Sequence, residues 1–137
     1  METSGYSGKP TFEKIGLKSG MRVLLISPPP NIDEILRGMP VDVLLLNDED
    51  LDLDCILFFV NEVQVFENQL ITIKDKIKSN GMIWIAWYKK AAKLPTELNE
   101  NMVRDTALAT GLVDVKVCAI DEIWSGLKLV IRKKDRA

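Results

Sequence analysis

Four runs of nearly unbroken apolar residues punctuate the first ninety positions of the chain, at residues 21–26, 41–46, 53–60 and 82–87. Each is too short for a typical helix and lacks the apolar-polar alternation of a half-exposed strand, so each reads as a strand covered on both faces. Only a few folds provide that cover. The segments between the runs carry helix signals. After three prolines, Asn31 stands three positions before Glu34, the spacing of a capping box, and Ile32, Ile35, Leu36 and Met39 form one stripe. Across residues 61–79, Val63, Phe66, Leu70, Ile73 and Ile77 recur every three or four positions, with Asn80-Gly81 as a left-handed stop. Asn99 is placed to cap a helix with Met102, Val103, Thr106, Leu108 and Ala109 on its inner face and Gly111 at its end. At the front, Thr11 is expected to cap a short helix over residues 11–17, and Gly20 turns the chain into the first run.

The last segment has a different character. Residues 114–121 and 127–133 are two strand-like stretches joined by residues 122–126, which is hairpin spacing rather than a crossover. The whole order predicts an α/β, Rossmann-like three-layer sandwich with a mostly parallel sheet and a C-terminal antiparallel hairpin, its antiparallel strand at the edge. Residues 1–10, polar and glycine-rich, read as an extended lead-in to a single domain over 11–137.

Composition bounds the chemistry. The chain has no histidine, so imidazole bases, histidine metal ligands and Ser-His relays are excluded. Cys55 and Cys118 sit inside apolar runs, where a thiol behaves as a small hydrophobe, and no metal site is expected. A net charge of -2 gives no basic footprint for nucleic acid. No apolar run is long enough to span a bilayer, and the N-terminal residues lack a signal-peptide pattern, so the expected location is the cytoplasm, without a membrane partner.

Two resemblances follow from these residues. A short helix before Gly20-Met21-Arg22-Val23-Leu24-Leu25, a long helix feeding Gly81-Met82-Ile83-Trp84-Ile85, and a closing hairpin together resemble a pared-down class I S-adenosylmethionine-dependent methyltransferase. That likeness covers residues 11–133, with at least one strand and one helix missing between Val41 and Leu53. The chain is also similar to a family of small proteins of unknown function. Gly5-Tyr6-Ser7-Gly8, Lys89-Lys90, Pro95-Thr96, Asp121-Glu122 and, most specifically, residues 111–118 and 124–131 carry that similarity, while Tyr88 and Ala91-Ala92 stand where the family pattern has proline and serine-glycine types. This second resemblance implies no activity.

In an open parallel sheet, ligands bind outside the carboxyl ends of the strands. The predicted rim therefore comprises residues 27–31, 47–50, Asn61, Glu62 and 87–90, joined by Asp121, Glu122 and Trp124 if the first hairpin strand is parallel to the rest. The first of these loops is the decisive one. A nucleotide-type cofactor needs backbone N-H groups there, yet three of its residues are Pro28, Pro29 and Pro30. Losing two charge-assisted hydrogen bonds, each worth ~1.5 to 3 kcal/mol, weakens binding about a hundredfold to ten-thousandfold. Asp48 lies where a ribose-binding acid is expected. Lys89, Lys90 and Lys93 form a positive cluster suited to a carboxylate or phosphate, and Trp87 and Trp124 are expected to bracket one edge of it. Asp121, Glu122 and Ser125 read as turn residues, no catalytic residue is assigned, and Tyr6 is a candidate lid.

Ligand-binding candidates are therefore Asp48, Glu62, Trp87, Lys89, Lys90 and Trp124. Three functions stay open. One is a non-catalytic, methyltransferase-like module for a small anionic ligand or a protein partner. The second is an S-adenosylmethionine-dependent enzyme holding its cofactor atypically through Asp48 and the Glu62 region. The third is a homodimer paired through the exposed hairpin edge at residues 127–131.

Overall fold

The computed structural model describes residues 8–136, so Tyr6 and most of the lead-in lie outside the described residues. The sheet is organised on β3 (Leu53–Phe59), in which every residue except Asp54 is buried. Ile56 and Phe58 point into one apolar layer while Cys55, Leu57 and Phe59 point into the other, so this strand needs cover on both sides. The first layer receives α3 (Val63–Ile73) and α4 (Glu100–Ala109) through Phe66, Leu70, Ile73, Val103 and Ala107. The second receives α1 (Thr11–Ile15) and the single turn α2 (Ile32–Ile35) through Ile15, Ile35 and the following Leu36. This is the expected three-layer α/β sandwich.

Six strands lie in the order β2-β1-β3-β4-β6-β5, where β1 is Arg22–Ile26, β2 Leu44–Leu45, β4 Ile77–Tyr88, β5 Leu112–Ala119 and β6 Trp124–Ile131. β1 pairs in parallel with β2 and β3, and β3 in parallel with β4; β6 is antiparallel to both β4 and β5. β5 therefore runs with the parallel set, and β6 fills the slot between it and β4. The antiparallel strand is interior, not at the edge as expected. A terminal strand with Leu127 and Leu129 buried on one face and Trp124 on the other needs the covered position. Residues 127–131 thus offer no free edge, which removes the expected dimer pairing through them and leaves β5 as the hairpin's outer strand.

Other local expectations shift. The long helix stops at Ile73, and after one 3-10 turn the chain enters β4 at Ile77, so Gly81 lies inside a strand rather than at a helix stop. Ile77 fits the helical spacing, but it is buried as the strand partner of Leu53. The second strand shrinks from the apolar run to two exposed residues, Leu44 and Leu45. Neither Thr11 nor Asn31 caps its helix: the N-cap of α1 is Pro10, and Asn31 makes no side-chain cap bond. The Thr11 hydroxyl instead donates to the carbonyl of Ile120 at 3.0 Å, tying α1 to the hairpin. α4 begins as expected, with Asn99 Oδ1 accepting from Met102 N-H at 2.9 Å, and Gly111 follows it at φ +94°. Its buried face is Val103 and Ala107, whereas Leu108 is exposed, because the stripe runs at i and i+4. No helix among the described residues is long and apolar enough to cross a membrane.

Candidate functional site

Because β1, β3, β4 and β5 share one direction, their carboxyl ends and the start of β6 form a common rim. Strand order reverses between β1 and β3, the position at which open α/β sheets form a crevice. Ser27 leaves β1 with φ +52°, a left-handed conformation that glycine adopts at lower cost. Pro28 to Pro30 follow without amide donors, and α2 is one turn long, so the loop after β1 feeds no extended helix whose N-terminus could serve the crevice.

Two of the cavities along the rim share Tyr88. The first, about 470 Å³, lies at the strand-order reversal and is walled by Ser27, Asn61, Glu62, Tyr88, Pro95 and Trp124, with Phe59 beneath. The second, about 640 Å³, lies beside α4 and is walled by Trp87, Tyr88, Lys89, Lys90 and Thr96, with Ser125 and Glu100 across from them. The loop over residues 89–98 separates the two, since Pro95 lines one cavity and Leu94 and Thr96 line the other.

Asn61 fixes that loop. Its Oδ1 accepts from Tyr88 N-H at 2.8 Å, and its backbone carbonyl accepts from Glu97 N-H at 2.8 Å. Glu97 Oε1 in turn accepts from Val63 N-H at 2.9 Å, so the loop supplies the cap of α3 while Glu62, at the N-cap position, makes no side-chain cap bond. On the other side, Lys89 N-H donates to the carbonyl of Ile123 at 2.9 Å. Replacing Asn61 by alanine strips the acceptor from a partly buried amide and is expected to lower stability by about 1–2 kcal/mol in urea unfolding. Asn61→Asp, which keeps the oxygen, should lose much less.

The six candidates divide among three places. Glu62 and Trp124 line the first cavity; Trp87, Lys89 and Lys90 line the second. Asp48 lines neither. It borders a small cavity of about 70 Å³ with Leu24, Ile26, Gln69, Ile73 and Lys76, and Lys76 Nζ donates to its carbonyl. Arg22, at the start of β1, donates to the carbonyls of Leu51 at 2.9 Å and Asp52 at 3.1 Å, which fixes the chain between the acidic turn and β3. The expected ribose acid thus lines a different cavity from the one at the strand-order reversal.

The tryptophans do not bracket one edge either. In the antiparallel β4–β6 pair, Trp87 stands opposite Ser125 and Tyr88 opposite Trp124, and directly opposed residues share a face. Trp87 is 5% exposed in the α3/α4 layer, and Trp124 is 7% exposed in the α1/α2 layer. Trp124 packs against Tyr88 with ring centroids 4.6 Å apart and edge-on against Phe59 at 4.9 Å. Both are core residues whose remaining surface faces a cavity. Tyr88 and Asn61 complete the site: both belong to the rim expected from the sequence, but neither stood among the six ligand-binding candidates.

Asp121 behaves as a turn residue, its Oδ1 accepting from Ile123 and Trp124 N-H groups at 2.8 Å each. Burial pushes the Cys55 thiol up to about 12 and raises that of Cys118, which favours the protonated thiol at both. Beside the second cavity, Glu100 pairs with Arg104, and Arg104 Nε also donates to Asp114 at 3.0 Å. That guanidinium holds the Asp114 carboxyl below its ordinary range.

The profile of a family described as a protein of unknown function, DUF3052, matches residues 13–133. The chain belongs to DUF3052. This DUF3052 chain matches no curated protein sequence. Its fold has many relatives among solved structures. A SAM-dependent methyltransferase from Aquifex aeolicus superposes with a TM-score of 0.62 at 15% identity, covering 88% of this chain and 87% of its own. A precorrin-6y C5,15-methyltransferase from Geobacter metallireducens gives 0.62 at 11% identity, covering 89% and 85%. Fibrillarin from Aeropyrum pernix, with natively bound S-adenosyl-L-methionine, gives 0.54 at 12%, covering 92% and 70%. The DUF3052 chain thus has a Rossmann-like methyltransferase fold, and at these identities the likeness is one of fold alone.

The residues present do not fit S-adenosylmethionine in the manner the fold provides for. The loop after β1 has three prolines where amide donors are needed, and the acid expected at the ribose borders another cavity. No chemical step through that cofactor follows from this site.

Proposed function

We propose that residues 11–137 act as one non-catalytic binding module of methyltransferase-like fold, and that the module takes a small anionic ligand in the cavity beside α4. The observation that carries this reading is the pairing of charges on the wall. Lys89 and Lys90 face the cavity, and the single acid there, Glu100, is already paired with Arg104. Thr96, Asn99 and Ser125 add polar groups, and Trp87, Leu94, Leu98 and Val117 add apolar wall, which suits a carboxylate on an apolar body. The volume of about 640 Å³ is within the usual range for small-molecule sites.

Calorimetric titration with benzoate tests it. Saturable binding is expected, weakened about tenfold in the Lys89→Ala/Lys90→Ala double variant and more weakly dependent on either lysine alone. Binding that the double variant leaves unchanged would sink the reading. The S-adenosylmethionine-dependent enzyme is favoured by one observation, the first cavity's place at the strand-order reversal. Titration with S-adenosylmethionine and S-adenosylhomocysteine decides between them, since a dissociation constant below about 10 μM, ~7 kcal/mol, supports the enzyme.

A further inference from the structure

The first cavity has the opposite chemistry from the second. Its polar wall is Ser27, Asn61 and Glu62, of which only Glu62 carries charge. Glu62 is exposed, and the α3 cap it stands beside is filled by Glu97, so its carboxylate is not spent on the helix end. The rest of the wall is planar or apolar, with Tyr88 and Trp124 against each other and Pro95 and Val65 beside them. An anion entering here meets a carboxylate and, next to Ser27, three residues without amide hydrogens. A cation meets the carboxylate and two aromatic rings, and ring faces attract positive charge.

We infer that this cavity is a second ligand site, for a planar organic cation such as an aryl amidinium, with its ring along Tyr88 and the exposed part of Trp124 and its charge at Glu62. The site stands independently of the anion reading, since it shares only Tyr88 with the lysine cavity. The volume of about 470 Å³ accommodates a single aromatic ring with its substituent. A ligand that pairs its cation with an adjacent carboxylate gains nothing from the loop after β1, which separates this specificity from that of an amino-acid-bearing nucleoside.

Three isosteres that differ in charge provide the test: benzamidine, benzamide and benzoate, titrated into the whole chain and followed by amide and indole resonances in two-dimensional NMR. Benzamidine is expected to move the Trp124 indole and Asn61 signals and to bind there about fivefold or more tightly than benzamide, with no benzoate effect at those signals. Glu62→Gln, at an exposed position that leaves the core untouched, should bring benzamidine down to the benzamide level. It should leave any benzoate shifts at Lys89 and Lys90 as they were. Equal binding of the three compounds, insensitivity of benzamidine to Glu62→Gln, or silence of the Trp124 indole at 10 mM benzamidine (roughly ten times the millimolar limit of weak binding) would each overturn the proposal.

Discussion

Alanine at Trp84 is expected to lower the unfolding free energy by about 4–6 kcal/mol, against a domain stability of roughly 5–15 kcal/mol. Trp84 is fully buried in the middle of β4, on the face that receives α1 and α2. Its indole N-H donates to the carbonyl of Ile15 at 2.9 Å, and that bond joins α1 to the sheet. Truncation leaves a large cavity and a buried carbonyl without its donor, two costs that add. The surroundings cannot collapse inward easily. Gly126 on β6 already brings backbone against the ring, since a Cβ there would lie 3.0 Å from Trp84 Cε3 and 2.8 Å from Ile120 Cδ1. Trp84→Phe separates the two costs, because it keeps much of the volume and removes the N-H, with an expected loss of about 2 kcal/mol. Urea unfolding with an unchanged slope is the measurement. A phenylalanine variant as unstable as the alanine variant would mean that the bond to Ile15, not the packing, dominates.

Which features could be read from the sequence depended on whether a local pattern had one structural solution. The unbroken apolar runs at β1, β3 and β4 had one, a doubly covered strand, and the sandwich followed from it. The cap at Asn99 was equally explicit, because a short acceptor before a helical stripe satisfies amides that would otherwise be orphaned. The place of β6 was different. A hairpin looks the same in sequence whether its second strand ends at an edge or enters a gap, and the gap exists only because the crossover through α4 sets β5 one strand away from β4.

The site shows the same limit. Lys89, Lys90 and Trp87 were placed together by adjacency in the chain, which the end of one strand preserves. Trp124 was paired with Trp87 in expectation, but the register sets it against Tyr88, and a shift of one residue in register changes the face. Asp48 lines a separate cavity, which no spacing could reveal. The carbonyls of residues 48, 51 and 52 are held by Lys76 and Arg22, side chains 28 to 30 positions away. Family resemblance gave neither cavity, because it carried no residue roles.

Gly81 is where the two readings of the chain make different predictions. As the left-handed stop of a helix it would tolerate asparagine at little cost, with alanine costing about 1 kcal/mol. In the structure it lies within β4 and outside the positive-φ positions, just past an irregularity in which two steps along β3, from Leu53 to Cys55, match five along β4, from Ile77 to Met82. The extra residues fold out, and Gly81 brings the strand back beside β3. A Cβ at Gly81 would sit 2.9 Å from the carbonyl oxygen of Leu53, 2.9 Å from Ile77 Cβ and 3.1 Å from the carbonyl oxygen of Lys78. Two of those atoms are backbone and the third is fixed to it, so none can swing aside as the tip of a long side chain could. Gly81→Ala is therefore expected to cost about 2–3 kcal/mol, and Gly81→Asn at least as much. Urea unfolding of both variants, with amide exchange at Cys55 and Met82, reads the difference. Asparagine that is better tolerated than alanine would restore the helix stop and shorten β4 from its amino end.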